Sequence, residues 1–180
     1  MADWARALAE HLERHEREAL TERFADVTPG LFASIYSDEN RTKPLTEKGW
    51  CRVWALPQGD RIIAHTSAYD MGEGDIVYGH LGIEKEWRGH GYAARLQAER
   101  AVFLDRHGLT LCGAVAPGNV VSLKGCLANG FQVLRVDPNG SVWVYREPGA
   151  RKRSSPSSIL KTCAGRIAAG DTCVPAWQGK

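Results

Sequence analysis

The sequence lacks any uninterrupted run of about 18 apolar residues, the length that a membrane-spanning helix requires. Its first 20 residues carry charges where a secretory signal peptide needs an apolar centre, so we expect a cytoplasmic protein with no membrane anchor. It also lacks paired cysteines, because the five present are odd in number and form no CxxC motif. We therefore expect free thiols, no disulfide framework and no bound metal.

The chain has enough apolar material for one folded domain, since 43% of its 180 residues are hydrophobic. Seven of its 23 Lys and Arg residues lie after residue 145, against two of its 21 acidic residues, so the end of the chain is basic. Residues 149–180 are rich in Pro, Ser and Gly, and we interpret them as an irregular, solvated tail. A nucleic-acid contact through the basic run at 151–153 is the alternative.

Hydrophobic periodicity divides residues 1–148 into a helical part (1–48) and a core (49–147), without internal repeats. Leu8 and Leu12 indicate an amphipathic helix capped by Asp3, and Pro29 marks the start of a second, short helix. Large side chains fall on both faces of the first strand, so we expect helices on each side of the sheet. The predicted strands are 49–56, 61–69, 75–83, 109–117 and a hairpin at 131–147, and the later helices are 91–107 and 119–129.

The stretch RGHGYA, from Arg88 to Ala93, places two glycines where a strand gives way to a helix. Backbone N–H groups at a helix start are unpaired and lie at the positive end of the dipole, so a bare turn there suits a phosphate. Arg88 and His90 offer further donors. The stretch has no GxxxxGK[ST] pattern and lacks the third glycine of a dinucleotide site. The remaining interpretations are a site for another phosphate-bearing ligand and a tight turn that binds nothing.

Two motifs together resemble a known family. The pattern Arg88-x-x-Gly91-x-Ala93 is similar to the acyl-CoA pyrophosphate loop of GCN5-related N-acetyltransferases (GNATs). Further on, NVVSLKGCLANGF, from Asn119 to Phe131, resembles the second signature of that family, an Asn-capped helix that ends in Gly-Phe. The resemblance covers about residues 49–147 and does not cover the tail.

The resemblance implies an α/β (α+β) fold with a mixed, mostly antiparallel central sheet flanked by helices. That sheet splays between the strand ending near Ile83 and the strand starting near Leu109, and the pantetheine arm of acetyl-CoA lies in the gap. The main chain of the strand ending near Ile83 would bind pantetheine, and the amides of residues 89–93 would bind the pyrophosphate. The implied cofactor-binding residues are Leu81, Gly82, Ile83, Arg88, Gly89, His90, Gly91, Tyr92, Ala93, Asn119 and Ser122.

The candidate catalytic residues come from the second signature and from the strand predicted over 75–83. Many GNATs carry a Tyr in the second signature as the general acid for the departing thiolate, and alignment places Cys126 there. A thiol with a pKa near 8.5 suits that role, although a buried apolar cysteine is the alternative. The candidate bases are Asp75, at a register where some members carry a Glu, and His80. Each also has an ordinary interpretation, as a turn residue or as a core residue.

Two functions follow for this sequence. One is an acetyl-CoA-dependent N-acetyltransferase that moves an acetyl group to a primary amine of a small molecule, peptide or protein by direct attack in a ternary complex. The other is a non-catalytic module of the same fold that binds CoA, a partner or nucleic acid. The missing Tyr favours the module, whereas the intact loop favours the enzyme. The sequence identifies no acceptor and leaves a homodimer open.

Overall fold

The computed structural model describes residues 4–22 and 29–150. The predicted cap at Asp3 and the predicted tail beyond Ala150 lie outside the described residues. No helix in the described ranges is long and apolar enough to cross a membrane. The helices in these ranges are α1 (Trp4–Glu22), α2 (Leu31–Ile35), α3 (Asp38–Thr42), α4 (Tyr92–His107) and α5 (Val120–Ala128), with one 3-10 turn at Lys85–Trp87.

One mixed sheet lies at the centre of the described chain. Its strands are β1 (Cys51–Gln58), β2 (Arg61–Glu73), β3 (Ile76–Tyr78), β4 (Leu81–Ile83), β5 (Thr110–Val115), β6 (Gln132–Val136) and β7 (Val142–Arg146). They are ordered β1-β2-β3-β5-β7-β6, with β4 paired to β2 beside that path. The β3–β5 pair is parallel and the other pairs are antiparallel, so the predicted mostly antiparallel sheet is confirmed.

Helices cover both faces of this sheet, as the two-sided pattern of β1 predicts. On one face α1 and α2 pack through Leu8, Leu12 and Phe32 against Cys51 and Ile62. On the other face α4 and α5 contribute to a second core, which contains Trp50, Val77, Leu104, Leu111 and Leu127. Because each strand alternates its side chains between these layers, residues of one strand reach two different environments.

The single short helix predicted around Pro29 is replaced by two. The chain turns at Tyr36, and the Ser37 hydroxyl accepts a hydrogen bond from the Asn40 N–H (3.3 Å), which starts α3. The Arg52 guanidinium then donates to the carbonyls of Arg41 (3.1 Å) and Lys43 (2.6 Å). This contact anchors the end of α3 to β1.

The expectation of one continuous strand over 75–83 is wrong, because the strand ends at Tyr78 and a new one starts at Leu81. At the break, Nη1 of Arg100 in α4 donates to the carbonyl oxygens of Ser67 (3.0 Å) and His80 (3.3 Å). The His80 N–H donates to the Ser67 hydroxyl (3.0 Å). Side chains thus satisfy backbone groups that an unbroken ladder would have paired.

The break opens the sheet into a cleft. Parallel pairing of β3 with β5 ends at Tyr78 and Cys112. Beyond that point β4 pairs with β2, while residues 113–115 of β5 pair with β7. The predicted splay between the strand ending at Ile83 and the strand starting near Leu109 is therefore confirmed.

The break depends on the absence of a side chain at Gly79. A Cβ there would lie 2.2 Å from the Ser67 carbonyl oxygen and 2.9 Å from Nη1 of Arg100. We expect Gly79→Ala to lower the free energy of unfolding by about 2–3 kcal/mol, measured by chemical denaturation, because the backbone must shift. Gly125→Ala, inside α5 with nothing within 4 Å of the new Cβ, is the control and should raise stability by about 0.5–1 kcal/mol. Similar effects at the two positions would contradict this account of the break.

Candidate active site

The splayed strands enclose a cavity of about 140 Å³. Both helical layers reach it, α1 and α2 from one face and α4 and α5 from the other. Its lining includes four of the predicted site residues outside the glycine loop and β4, namely His80, Asn119, Ser122 and Cys126. The remaining walls come from His15, Ala19, Leu31, Phe32, Gly79, Leu81, Gln97, Arg100, Leu111, Cys112, Gly113, Ala114, Val115, Ala116, Phe131 and Val144.

The edge of β4 offers main-chain groups to the cleft. The Ser67 N–H donates to the His80 carbonyl and the Glu84 N–H to the Ile63 carbonyl, and between these bonds His65 lies opposite Gly82. Alternation along an antiparallel ladder therefore turns the N–H and C=O of Leu81 and Ile83 away from β2, toward the splay. The same alternation directs the Gly82 main chain toward β2, so Gly82 has no amide to present to a ligand.

Gly82 is instead required by packing. A Cβ at this position would lie 2.7 Å from Cε1 of His65 and 2.8 Å from Nε2 of His15. These imidazoles belong to a histidine cluster, which we define as His11, His15 and His65, beneath β4. In it Nε2 of His11 is hydrogen-bonded to Nδ1 of His65 (2.9 Å), and Nδ1 of His11 to the Glu84 carboxylate (3.2 Å).

The predicted anion loop adopts the conformation that its glycines permit. Gly89 and Gly91 both have left-handed backbones, with φ of 84° and 80°, and a Cβ on either would meet nothing within 4 Å. The first α4 amide with a partner is that of Arg95, which donates to the Gly91 carbonyl (3.2 Å). Within the described chain the N–H groups of residues 89–94 make no hydrogen bond, as expected before and within a first helical turn.

The side chains around this loop differ in what they can do. Arg88 donates from Nε to the Ile83 carbonyl (3.0 Å) and pairs with Glu18, so it braces the loop against β4 and α1. His90 is exposed, and its ring lies 6.0 Å from the ring of Tyr92. Of the two predicted side-chain donors, Arg88 is therefore engaged within the fold, whereas His90 is exposed beside the loop amides.

The second signature forms α5 as predicted. The Asn119 side chain accepts from the Ser122 N–H (3.1 Å) and caps the helix. One turn later lies Cys126, whose thiol is buried with the Ser122 side chain near it. Burial raises the pKa of Cys126, with the nearby Arg100 charge and the Ser122 contact opposing, so the thiol stays protonated at neutral pH.

The two candidate bases lie in different places. His80 lines the cavity, with Nδ1 hydrogen-bonded to the Tyr36 hydroxyl (2.6 Å) and Nε2 3.4 Å from the Tyr69 hydroxyl. Burial, aided by the positive Arg100, lowers the pKa of His80 to about 4, so its imidazole is neutral at pH 7. Asp75 is exposed in the turn before β3, outside the cavity lining, where its carbonyl accepts the Thr110 N–H.

Sequence reasoning missed Tyr36, Gln97 and Arg100. Arg100 carried a detectable signal, because it lies on the stripe of α4 that also contains the buried Leu96 and Leu104. A charged residue inside an apolar stripe is seldom buried without a ligand or a specific partner. Tyr36 carried no such signal, since its contacts to Ser67 and His80 join three separate elements.

Comparison with known proteins identifies the fold. No family model and no curated protein matches the sequence. Solved structures do match. A phosphinothricin acetyltransferase of Sinorhizobium meliloti in complex with AcCoA has a TM-score of 0.62 at 16% identity, covering 85% of this chain and 89% of that one. The GNAT domain of S. lividans PAT has a TM-score of 0.61 at 18% identity, covering 82% and 86%. A ribosomal-protein-alanine N-acetyltransferase of Brucella melitensis has a TM-score of 0.61 at 16% identity, covering 81% and 96%.

The described chain therefore has the GNAT acetyltransferase fold, which confirms the fold implied by its two motifs. The similar structures are N-acetyltransferases, and another of them, PaiA of Thermoplasma acidophilum, is in complex with coenzyme A. Among the described residues no group of three or more His, Cys, Asp or Glu side chains is arranged to hold a metal ion.

The buried imidazoles predict a pH-dependent stability. Burial lowers the pKa values of His11, His65 and His80, so between about pH 4 and 6.5 the unfolded chain binds more protons than the folded one. We expect the free energy of unfolding to fall by at least about 2 kcal/mol between pH 7 and 5, measured by urea denaturation.

The paired carboxylates Glu84 and Asp105 contribute little to the loss of stability between pH 7 and 5, because their ion pairs hold their pKa values below the ordinary ones. His65→Asn should therefore reduce the loss of stability between pH 7 and 5. His90→Gln, which replaces an exposed imidazole, should leave the loss unchanged. A stability that is flat over this range would show that these histidines are charged in the folded protein.

Proposed function

We propose that this protein is an acetyl-CoA-dependent N-acetyltransferase that acetylates a primary amine of a small molecule, peptide or protein by direct attack. One observation carries the proposal. Beside an open cleft, β4 turns main-chain groups outward, and a few residues later the amides of residues 89–94 have no hydrogen-bond partner among the described residues. A pyrophosphate and an amide-bearing arm require those two kinds of group in that succession. The acetyltransferases of the same fold support this interpretation, two of them in complex with AcCoA or coenzyme A.

The cosubstrate would bind along the cleft from the loop inward. The amides of Gly89, His90, Gly91, Tyr92 and Ala93 face the pyrophosphate, with the α4 dipole adding positive potential. The Leu81 main chain and the Ile83 N–H would pair with pantetheine as the edge of a strand does, while Arg88, bound to the Ile83 carbonyl, maintains the loop geometry. Asn119 and Ser122 line the opposite wall at the start of α5.

The chemistry needs a proton acceptor for the amine and a proton donor for the thiolate. His80 is the acceptor that the cleft supplies, because its imidazole is neutral and lies in the cavity. Since a pKa of about 4 makes it a weak base, it would pass the amine proton on along its hydrogen bonds rather than hold it. The Tyr36 hydroxyl and the Ser67 hydroxyl (2.8 Å apart) extend its hydrogen-bond chain. Cys126 is the proposed donor, because its thiol lines the cavity and is protonated at neutral pH, although its raised pKa makes it a weaker acid than a free thiol. Asp75 has no role in this scheme.

The direct test is CoA release from acetyl-CoA by the full chain with a panel of primary amines. We expect release that depends on the amine, with the acetylated product confirmed by mass spectrometry. Binding of acetyl-CoA without release for any amine would instead indicate the non-catalytic module.

Variants of the loop test the assignment of the anion site. Gly91→Asp should abolish acetyl-CoA binding in calorimetry, because its carboxylate would occupy the pyrophosphate position, whereas Gly91→Asn should weaken binding far less. Asn and Asp both tolerate the left-handed backbone, so the pair isolates charge. Gly59→Asp, at another open left-handed position in the β1–β2 turn, controls for strain. Equal affinity in Gly91→Asp and wild type would remove the loop from the site.

A second prediction concerns proton donation by Cys126. If the thiol is the acid, Cys126→Ser should lower turnover roughly 100-fold with little change in acetyl-CoA affinity. The alkaline limb of the pH–rate profile should also vanish in the variant. Native turnover with an unchanged alkaline limb would show that Cys126 is packing only. Cys112→Ser is the matched control, because this cysteine lies in the same cavity on β5 outside the second signature.

A further inference from the structure

Arg100 places a positive charge inside the cleft that no described carboxylate neutralises. The residue is 5% exposed, and the described ion pairs do not include it. Burial lowers the pKa of Arg100 to about 10, so its guanidinium is still protonated at neutral pH. A buried cation without an anion is costly, and it calls for a specific explanation.

One nitrogen of the Arg100 guanidinium supports the strand break. Nη1 donates to the carbonyls of Ser67 and His80, as the fold requires. Nε and Nη2 make no hydrogen bond with the described residues. They are not among the described side-chain atoms that are both fully buried and without a partner, so they are accessible from outside the protein core. Since Arg100 lines the cavity, these donors open into it.

Gln97 lies one turn earlier on the same face of α4 and lines the same cavity. It too is 5% exposed, and its Oε1 is buried without a hydrogen-bond partner in the described structure. A native protein seldom leaves such an atom unpaired unless a ligand or a water completes it. The amide can turn either its oxygen or its NH₂ toward a ligand.

We propose that Arg100 and Gln97 form a subsite for a carboxylate carried by one of the two substrates, either the acyl group of the CoA thioester or the amine acceptor. A carboxylate matches the planar donor face of a guanidinium and would compensate its buried charge. The subsite shares its cavity with His80 and Cys126, so the carboxylate belongs to a reacting molecule. This inference rests on the proposed function and specifies its substrate class.

Two matched comparisons on the full chain distinguish the two sources. For the acyl group, calorimetry compares succinyl-CoA with butyryl-CoA, which differ in a terminal carboxylate against a methyl. For the acceptor, common amino acids are compared with their α-amides, by calorimetry with CoA present and by thiol release from acetyl-CoA. Because the amides carry the less basic amine, amine ionisation would not explain a preference for the free acids.

We expect the carboxylate-bearing member to bind about tenfold or more tightly in one comparison. Arg100→Gln should remove that preference, and Arg100→Lys should keep part of it. Arg95→Gln, an exposed arginine of the same helix paired with Glu99, is the control and should keep all of it. If Arg100→Gln does not fold, Gln97→Leu should still reduce the preference several-fold.

The outcomes separate the subsite from the proposed function. Transfer of acetyl groups with less than about a twofold carboxylate preference in both comparisons would overturn the subsite alone. Tight binding of succinyl-CoA without transfer to any amine would support the subsite and overturn the enzyme. An Arg100→Gln variant that weakens both members of each pair equally would assign Arg100 to the strand break only.

Discussion

The break between Tyr78 and Leu81 is the constraint on which the rest of the site depends. A continuous strand would pair with β5 along its length and close the sheet. Here Arg100 donates to the Ser67 and His80 carbonyls and the Ser67 hydroxyl accepts from the His80 N–H, so these backbone groups keep partners where the strands separate. The separation creates the cavity and frees the edge of β4. It also places His80 where its side chain reaches Tyr36 while its main chain still bonds β2.

This arrangement concentrates positive potential in the cleft. The guanidinium of Arg100 lies among neutral imidazoles and contributes to the lowered pKa values of His65 and His80. At the mouth of the cleft the unpaired amides of the α4 N-terminus add partial positive charge. A site of this character disfavours protonated bases within it and attracts anionic ligands. The first consequence keeps His80 neutral but makes it a weak base, and the second suits an acyl-CoA, whose phosphates are anionic.

The sequence could predict most helices and strands because their signals are local. Asn119, Gly91 and Gly108 mark helix ends through caps and left-handed turns, and the structure places α4 and α5 within a residue or so of the predictions. The break at Gly79 could not be predicted, since DIVYGHLGI is an unbroken β-like pattern and the clash that excludes a Cβ comes from Ser67 and Arg100. Likewise the contacts of His80 come from α2 and β2, which no spacing within its own strand reveals.

The two proposed proton-transfer groups belong to opposite layers of the molecule. His80 packs with Phe32 and Tyr36 in the α1–α2 layer, whereas Cys126 belongs to the core beneath α4 and α5. In an unbroken sheet the backbone would separate them, and a proton acceptor on one face could not serve a leaving group on the other. The splay lets both side chains reach one cavity. In the proposed reaction an amine would approach from the α1–α2 side and the thioester sulfur would face α5, which is the geometry that direct attack on the carbonyl between them requires.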